Sequence, residues 1–182
     1  MRAMTGNSLA LRKIRDEDAA AVLVAFSADP AMIRQGRVTD IDEAQRYIRT
    51  YTQIGAEHHG VAVVDALDTL VGMVGLDVYP ADRRAWLYYW MNVSHRGRGW
   101  ASLAVRSVAD WALTDGGLER LELGHRADNL ASGAIARRAG FILEGIERGK
   151  FFSEGQRVDV LTYGRLVSDP WPMRSPLPIL QM

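Results

Sequence analysis

The chain has 182 residues, enough for one domain with a sizeable core, and its 22 Lys and Arg offset 22 Asp and Glu. That balance removes any compositional case for a nucleic-acid partner or an anionic membrane. With no cysteine, disulfides, thiolate zinc sites and a cysteine nucleophile are excluded together.

Residues 1–7 lack the apolar segment of a signal peptide, and no run of about 18 apolar residues could span a membrane. The reading is a cytoplasmic protein without a membrane partner. One domain covers residues 1–167, and a proline-rich tail follows over 168–182.

Residues 9–14 set Leu9, Leu11 and Lys13 against Ala10, Arg12 and Ile14, the alternation of a first strand. Asp16 is expected to cap a helix. Glu17 and Asp18 lie in its first turn, where the helix dipole favours negative charge, and Ala19, Val22, Leu23 and Phe26 form its apolar face. Asp29-Pro30 ends it. Residues 31–38 are a loop or short helical turn carrying Arg34 and Arg37.

Thr39 or Asp40 caps a second helix, with Glu43 near the reciprocal position. Its stripe is Ile41, Ala44, Tyr47, Ile48, Tyr51 and Ile54, and residues 55–60 stop it. His58 and His59 fall in that polar loop without an acidic or cysteine partner, a poor metal site. Residues 61–65 and 70–79 read as a hairpin, in which Gly72 and Gly75 signal a bulge or a close backbone approach. After a turn at 80–83, residues 84–93 form a fourth strand.

That strand runs into Arg96-Gly97-Arg98-Gly99-Trp100-Ala101 and then a helix. The helix buries Ala101, Ala104, Val105, Val108 and Ala112, with Arg106, Ser107 and Asp110 expected mostly on the outer side. A helix start leaves about four backbone N–H groups without partners, and with the helix dipole they attract an anion. Glycines without Cβ atoms let a phosphate approach, and the arginines add charged donors. The stretch reads as a phosphate or pyrophosphate cradle. It lacks the Gly-Lys-Ser/Thr of a P-loop, and Ser102 stands where the dinucleotide fingerprint requires a third glycine.

Residues 115–117 stop this helix, and residues 120–125 form a fifth strand, parallel to the fourth because a helix crosses between them. Residues 129–138 are a short helix with Ile135 and Ala139 inward, ended by Gly140. Residues 141–152 and 158–166 form a last hairpin around 153–156. The tail, with Trp171, Leu177, Ile179 and Leu180, is no regular helix. It packs on the body, packs on a second copy or stays free. The fold class is α/β, an α+β mixed sheet that is mostly antiparallel with one splayed parallel pair beside the cradle.

The cradle matches Arg/Gln-x-x-Gly-x-Gly/Ala and so resembles the acyl-CoA pyrophosphate loop of the GNAT superfamily of N-acetyltransferases. Downstream, Asn129-Leu130-Ala131-Ser132, Gly140-Phe141 and Glu144-Gly145 resemble its ribosomal-protein (RimJ/RimL-like) branch. Tyr89-Trp90-Met91 and Arg15-x-x-Asp18 fit the same pattern, and the element order agrees over 9–166.

The resemblance implies an N-acyltransferase that takes acetyl from acetyl-CoA, without metal. The acceptor would be a primary amine, either an N-terminal α-amine or a small molecule, attacking directly in a ternary complex. The chain would be a monomer or homodimer. Backbone groups of Met91 and Val93 would pair with the pantetheine arm, and an N–H near Met91 would polarise the thioester carbonyl. The N–H groups of Arg96, Gly97, Arg98, Gly99, Trp100 and Ala101 would hold the pyrophosphate. Asn129 would hydrogen-bond the pantetheine, Ser132 would serve the leaving thiolate, and Arg137 or Arg138 would meet the 3′-phosphate.

The chain departs from the pattern at two places. Trp86 replaces the Glu of the fourth strand, and Ala136 replaces the Tyr seven residues after the Asn. His125, at the end of the fifth strand, is the best replacement base or else a histidine satisfied by neighbouring backbone, with Asp128 second or else a turn residue or helix cap; Tyr88, Tyr89 and Tyr163 are core packing, acids or pocket walls. Those losses leave open a non-catalytic CoA-binding module, and a succinyl or longer donor is also open because the sequence does not size the thioester pocket.

Overall fold

The computed structural model describes residues 9–53, 57–153, 155–172, 177 and 179–180. Its elements are β1 (Ala10–Lys13), α1 (Ala19–Ser27), α2 (Ile41–Thr52), β2 (His58–Val64), β3 (Leu70–Tyr79) and β4 (Arg84–Met91). Then come α3 (Trp100–Leu113), β5 (Arg120–Arg126), α4 (Leu130–Arg138), β6 (Ile142–Ser153), β7 (Gln156–Leu166) and β8 (Ile179–Leu180). One sheet carries all strands in the order β6-β7-β5-β4-β3-β2-β1-β8.

The expected parallel pair is present and short. β4 and β5 are bonded only from Arg84–Arg120 to Trp86–Glu122, while β5 stays paired to β7 through Arg126. Beyond Trp86 the two strands part, opening a gap at the end of β4 that leads into α3. The tail adds a second parallel pair, Leu11 with Ile179 and Arg12 with Leu180, so it packs on the body of the chain.

Alternation sends the side chains of the sheet into two apolar layers. Leu11, Val63, Leu76, Leu87 and Leu123 join Ala104, Val105 and Val108 of α3 on one face. Ala10, Ala62, Met73 and Trp90 join Val22 and Phe26 of α1 and Ile48 of α2 on the other. Glycine in β3 makes room for this packing, because a Cβ at Gly72 would lie 2.7 Å from the Met91 sulfur. That is the close approach read from the sequence, and a bulge lies beside it in β3: Val63 pairs with Gly72 and Val64 with Leu70, so Val71 is the extra residue.

Several expectations are corrected. Asp16 does not cap α1. Residues 16–18 form a 3-10 turn, and the Asp18 carboxylate is buried, accepting from Arg12 twice at 2.8 Å and from the Arg15 N–H at 3.0 Å. A carboxylate that neutralises a buried guanidinium is worth more inside than on a helix dipole. Asp40 does cap α2, accepting from the Glu43 N–H at 2.7 Å, and Glu43 reaches back to the Thr39 N–H at 2.8 Å. Ile54 lies outside the described residues.

β2 begins at His58, where a loop was expected, and His58 does have an acidic neighbour: its Nδ1 lies 2.7 Å from Asp77. The fourth strand ends at Met91, and residues 93–95 turn as a 3-10 helix. Arg106 and Ser107 are 3% and 1% exposed rather than on an outer face. The tail reaches Ser107: the Leu177 N–H donates to its hydroxyl at 2.8 Å. Arg165, 1% exposed, bonds Asp110 at 2.7 Å and the Ala139 carbonyl at 2.9 Å beneath Trp171, joining α3, α4 and the tail.

Candidate active site

The site is built by the strand-to-helix handover. Gly97 and Gly99 both have φ +76°, the left-handed region that favours glycine, and nothing stands within 4 Å of where either Cβ would be. Gly99 is the N-cap of α3, and no side chain caps it. The first intrahelical bond runs from the Leu103 N–H to the Gly99 carbonyl at 3.2 Å, so the amides of Trp100, Ala101 and Ser102 precede the ladder. A helix of 14 residues thus ends in bare N–H groups facing open space.

These amides border a cavity of about 440 Å³. It is lined by Tyr89, Trp90 and Met91 of β4, by Arg96, Gly97, Gly99, Trp100, Ala101 and Ser102, and by Asn129, Ser132 and Arg138 around α4; Asp29, Met32 and Arg34 close it. The loop, the two residues of the Asn-x-x-Ser motif and the end of β4 therefore share one cavity. Of the two arginines expected near a 3′-phosphate, Arg138 lines it.

Strand alternation orients Met91. The Asn92 N–H donates to the Val71 carbonyl at 2.9 Å, toward β3. The N–H and C=O of Met91 therefore point the other way, into the gap. The carbonyl accepts from Arg96 Nε at 3.0 Å. Asn129 caps α4 by accepting from the Ser132 N–H at 3.1 Å, which locks the two residues together and leaves the Asn129 amide NH₂ to donate.

Three expected site residues are placed differently. Val93 lies in the 3-10 turn, 46% exposed, outside the cavity lining. Arg98 folds back, donating to the Ser94 carbonyl at 3.3 Å with its guanidinium over Trp100, so only its backbone belongs to the loop. His125 is 8% exposed, with Nδ1 2.7 Å from the Arg126 carbonyl and Nε2 3.3 Å from the Tyr163 hydroxyl. The carbonyl can only accept, so Nδ1 carries the proton and Nε2 accepts from Tyr163. Both nitrogens are used and the ring stacks on Tyr163. His125 is a packed core residue, not a base facing the cavity.

Asp128 is ion-paired with Arg126, which holds its carboxyl below the usual range and weakens it as a base. Trp86 lies across β5, within reach of Gly124, and Ala136 is fully buried on α4. Neither position offers an acid or base. Among the described residues no group of three or more His, Cys, Asp or Glu is arranged to hold a metal. No helix among them is long and apolar enough to cross a membrane.

The site also contains one residue that sequence reasoning missed, and it places two that were named, Arg34 and Tyr89. Asp29 was read only as a helix terminator. Its carboxylate accepts from the Ala31 N–H at 2.8 Å and pairs with Arg96 at 2.6 Å, tying the 30–35 turn to the cradle. Its pKa is lowered by the Ala31 N–H first and Arg96 second. Arg34 lines both the cavity and an adjoining cleft of about 500 Å³ that includes Arg126, Asp128 and Asn129. Arg37 instead is exposed beside Glu43. The Tyr89 hydroxyl is buried without a hydrogen-bond partner. Nothing local in the sequence signals the contact of Asp29 with Arg96.

A mixed sheet splayed at one parallel pair, with an uncapped glycine cradle at the splay, defines an acyltransferase architecture. Residues 8–142 match the acetyltransferase (GNAT) domain family, and the chain belongs to that family as an N-acetyltransferase. It is 33% identical over 101 residues to the ribosomal-protein-serine acetyltransferase of Escherichia coli, a match covering 55% of this chain and 56% of that protein. The chain thus spans little more than half the length of this relative. The uncharacterized N-acetyltransferase YoaA of Bacillus subtilis is 29% identical over 161 residues, covering 85% of this chain and 91% of its own.

Among solved structures, RimL, a ribosomal L7/L12 alpha-N-protein acetyltransferase, superposes with a TM-score of 0.75 at 23% identity, covering 86% of this chain and 88% of that one. A chimera of the Vibrio cholerae spermidine N-acetyltransferase gives 0.77 at 22%, covering 88% and 96%. At these identities the two structures speak to the fold alone.

Proposed function

We propose that the protein transfers acetyl from acetyl-CoA to the α-amine of an N-terminal residue, by direct attack of the amine on the thioester in a ternary complex. The observation that carries this is the shared cavity: a bare, glycine-opened helix start, the Met91 N–H and the Asn129–Ser132 pair all face it. RimL, which has the same fold, has been solved in complex with coenzyme A.

Each group has a physical task. The amides around Gly97 and Gly99 hold the diphosphate, and Arg138 lies where it can meet a further phosphate. The Met91 N–H polarises the thioester carbonyl, where charge develops. The Asn129 NH₂ holds the pantetheine amide, and Ser132 faces the departing sulfur. Arg34 walls the acceptor side and favours an acceptor carrying a carboxylate.

The choice of amine follows from the lack of a base. A lysine amine, with pKa about 10.4, costs roughly 4 kcal/mol to deprotonate near neutrality, whereas an α-amine at about 8 is already partly neutral. A site with His125 sealed and Trp86 at the usual Glu position suits the α-amine. The relative from Escherichia coli is a ribosomal-protein-serine acetyltransferase, and RimL, of the same fold, is an alpha-N-protein acetyltransferase, which supports an acceptor of this kind.

The test is acetyl-CoA-dependent thiol release against Ser-terminal peptides, the same peptides with blocked termini, amino acids, polyamines and aminoglycosides, with succinyl-CoA as a second donor. Turnover of free-terminus peptides and none of blocked ones is expected. CoA binding with no turnover of any acceptor would instead favour a non-catalytic CoA-binding module.

A further inference from the structure

Tyr89 carries a group that packing does not require. Alternation along β4 puts it with Leu87 and Met91 on the α3/α4 face, where its ring packs against the apolar layer. A phenylalanine would serve that packing. Instead a buried hydroxyl makes no hydrogen bond of ordinary geometry and has the Ser132 side chain as its polar neighbour, a state that costs free energy unless something completes it. Tyr89 and Ser132 border the same cavity, at the end of β4 where it leaves β5. Ser132 is the side chain that acts on the Tyr89 hydroxyl against the effect of burial.

Resting on the acetyl-CoA reading above, we propose that the Tyr89 hydroxyl donates a hydrogen bond to the thioester sulfur, together with Ser132, and supplies from β4 the acid function that Ala136 cannot. The amine nitrogen bonds to the carbonyl carbon, the C–S bond breaks, and sulfur leaves with the electron pair. The phenol stabilises that charge at the moment it forms. Burial holds its pKa above the ordinary phenol value, so it remains a neutral donor throughout and does not ionise. The proton shed by the nitrogen balances the one the thiol finally carries. The orphaned hydroxyl is then explained as a group whose partner arrives with the substrate.

The experiment separates the sulfur from the rest of the coenzyme. Calorimetry compares CoA with desulfo-CoA, which lacks the thiol, on wild type, Tyr89→Phe and Ser132→Ala. Wild type is expected to prefer CoA by about threefold to tenfold, the range for one or two hydrogen bonds. Tyr89→Phe should narrow that preference while binding desulfo-CoA as wild type does, which also shows that the variant is folded. With the best acceptor from the panel, its kcat should fall by about tenfold to a hundredfold at unchanged KM for acetyl-CoA. A wild-type protein with no preference, a preference that survives in Tyr89→Phe, or unchanged kcat would each overturn the proposal. If neither CoA nor desulfo-CoA binds wild type, the acetyl-CoA reading fails first and this inference falls with it.

Discussion

Replacing Gly99 by valine perturbs two quantities that can be measured apart. The backbone there is left-handed, at φ +76°, and no atom lies within 4 Å of the new Cβ. The folded protein therefore suffers backbone strain without an internal clash, about 1–2 kcal/mol. For a chain of this size each kcal/mol moves Tm by about 2–4 °C, so a drop of roughly 2–8 °C is expected. Binding should suffer more. A branched side chain over the start of α3 keeps the diphosphate from the amides, and a hydrogen bond to a charged group is worth about 1.5–3 kcal/mol. Losing two amounts to a weakening of CoA binding on the order of 10²- to 10⁴-fold. Gly117 provides the control, since it too is left-handed, at φ +67°, with nothing within 4 Å, and lies at the opposite end of α3. Gly117→Val should show a similar thermal penalty and wild-type CoA affinity. Calorimetry with CoA and thermal melts of both variants decide the matter. Wild-type affinity in Gly99→Val, or equal loss of affinity in both, would refute the cradle.

Four further outcomes follow from the geometry. His125→Asn should lower stability by about 1–3 kcal/mol through its lost contacts with Tyr163 and Arg126, yet leave the shape of the pH–rate profile unchanged; loss of one limb of that profile in the variant would restore it as a base. Arg34→Ala should raise the acceptor KM severalfold without changing that for acetyl-CoA, and Arg37→Ala should change neither, which steady-state kinetics with both substrates varied will show. Arg165→Met should cost about 3–5 kcal/mol in urea melts, because it leaves Asp110 and the Ala139 carbonyl without their buried partner. Asp29 has a lowered pKa, so its stabilising contribution is complete above the unfolded carboxylate value near 4 and is lost as pH falls through the lower folded value. The difference in Tm between wild type and Asp29→Asn should accordingly be constant from about pH 5 to 8 and shrink below about pH 4.

The order of the elements was legible because periodicity and punctuation are local. Strand alternation, the Asp40 cap with Glu43, the glycines after α3 and the handover at Gly97–Gly99 each depend on residues a few positions apart. Errors arose where a distant segment changed what a residue faces. Arg106 and Ser107 fit the outer side of α3 by spacing alone, yet both are buried, and the tail returns 70 residues later to bond Ser107. His125 looked like a base because it sits beside Asn129, yet its second nitrogen is taken by Tyr163, from the neighbouring strand β7. Asp18 was assigned to a helix dipole and belongs to Arg12.

The amino-acid order alone thus determined the family, the cradle and the residues able to line it, since left-handed glycines, a helix start and an Asn-x-x-Ser cap are properties of short stretches of chain. Only the tertiary structure decided which of those side chains are free. It turned Arg96 toward Asp29 and the Met91 carbonyl, closed both nitrogens of His125, and left the Tyr89 hydroxyl buried beside the cavity without a hydrogen bond of ordinary geometry. The reason is that hydrogen-bond satisfaction is settled by whichever groups meet in space, and those partners come from strands and turns far apart in the chain.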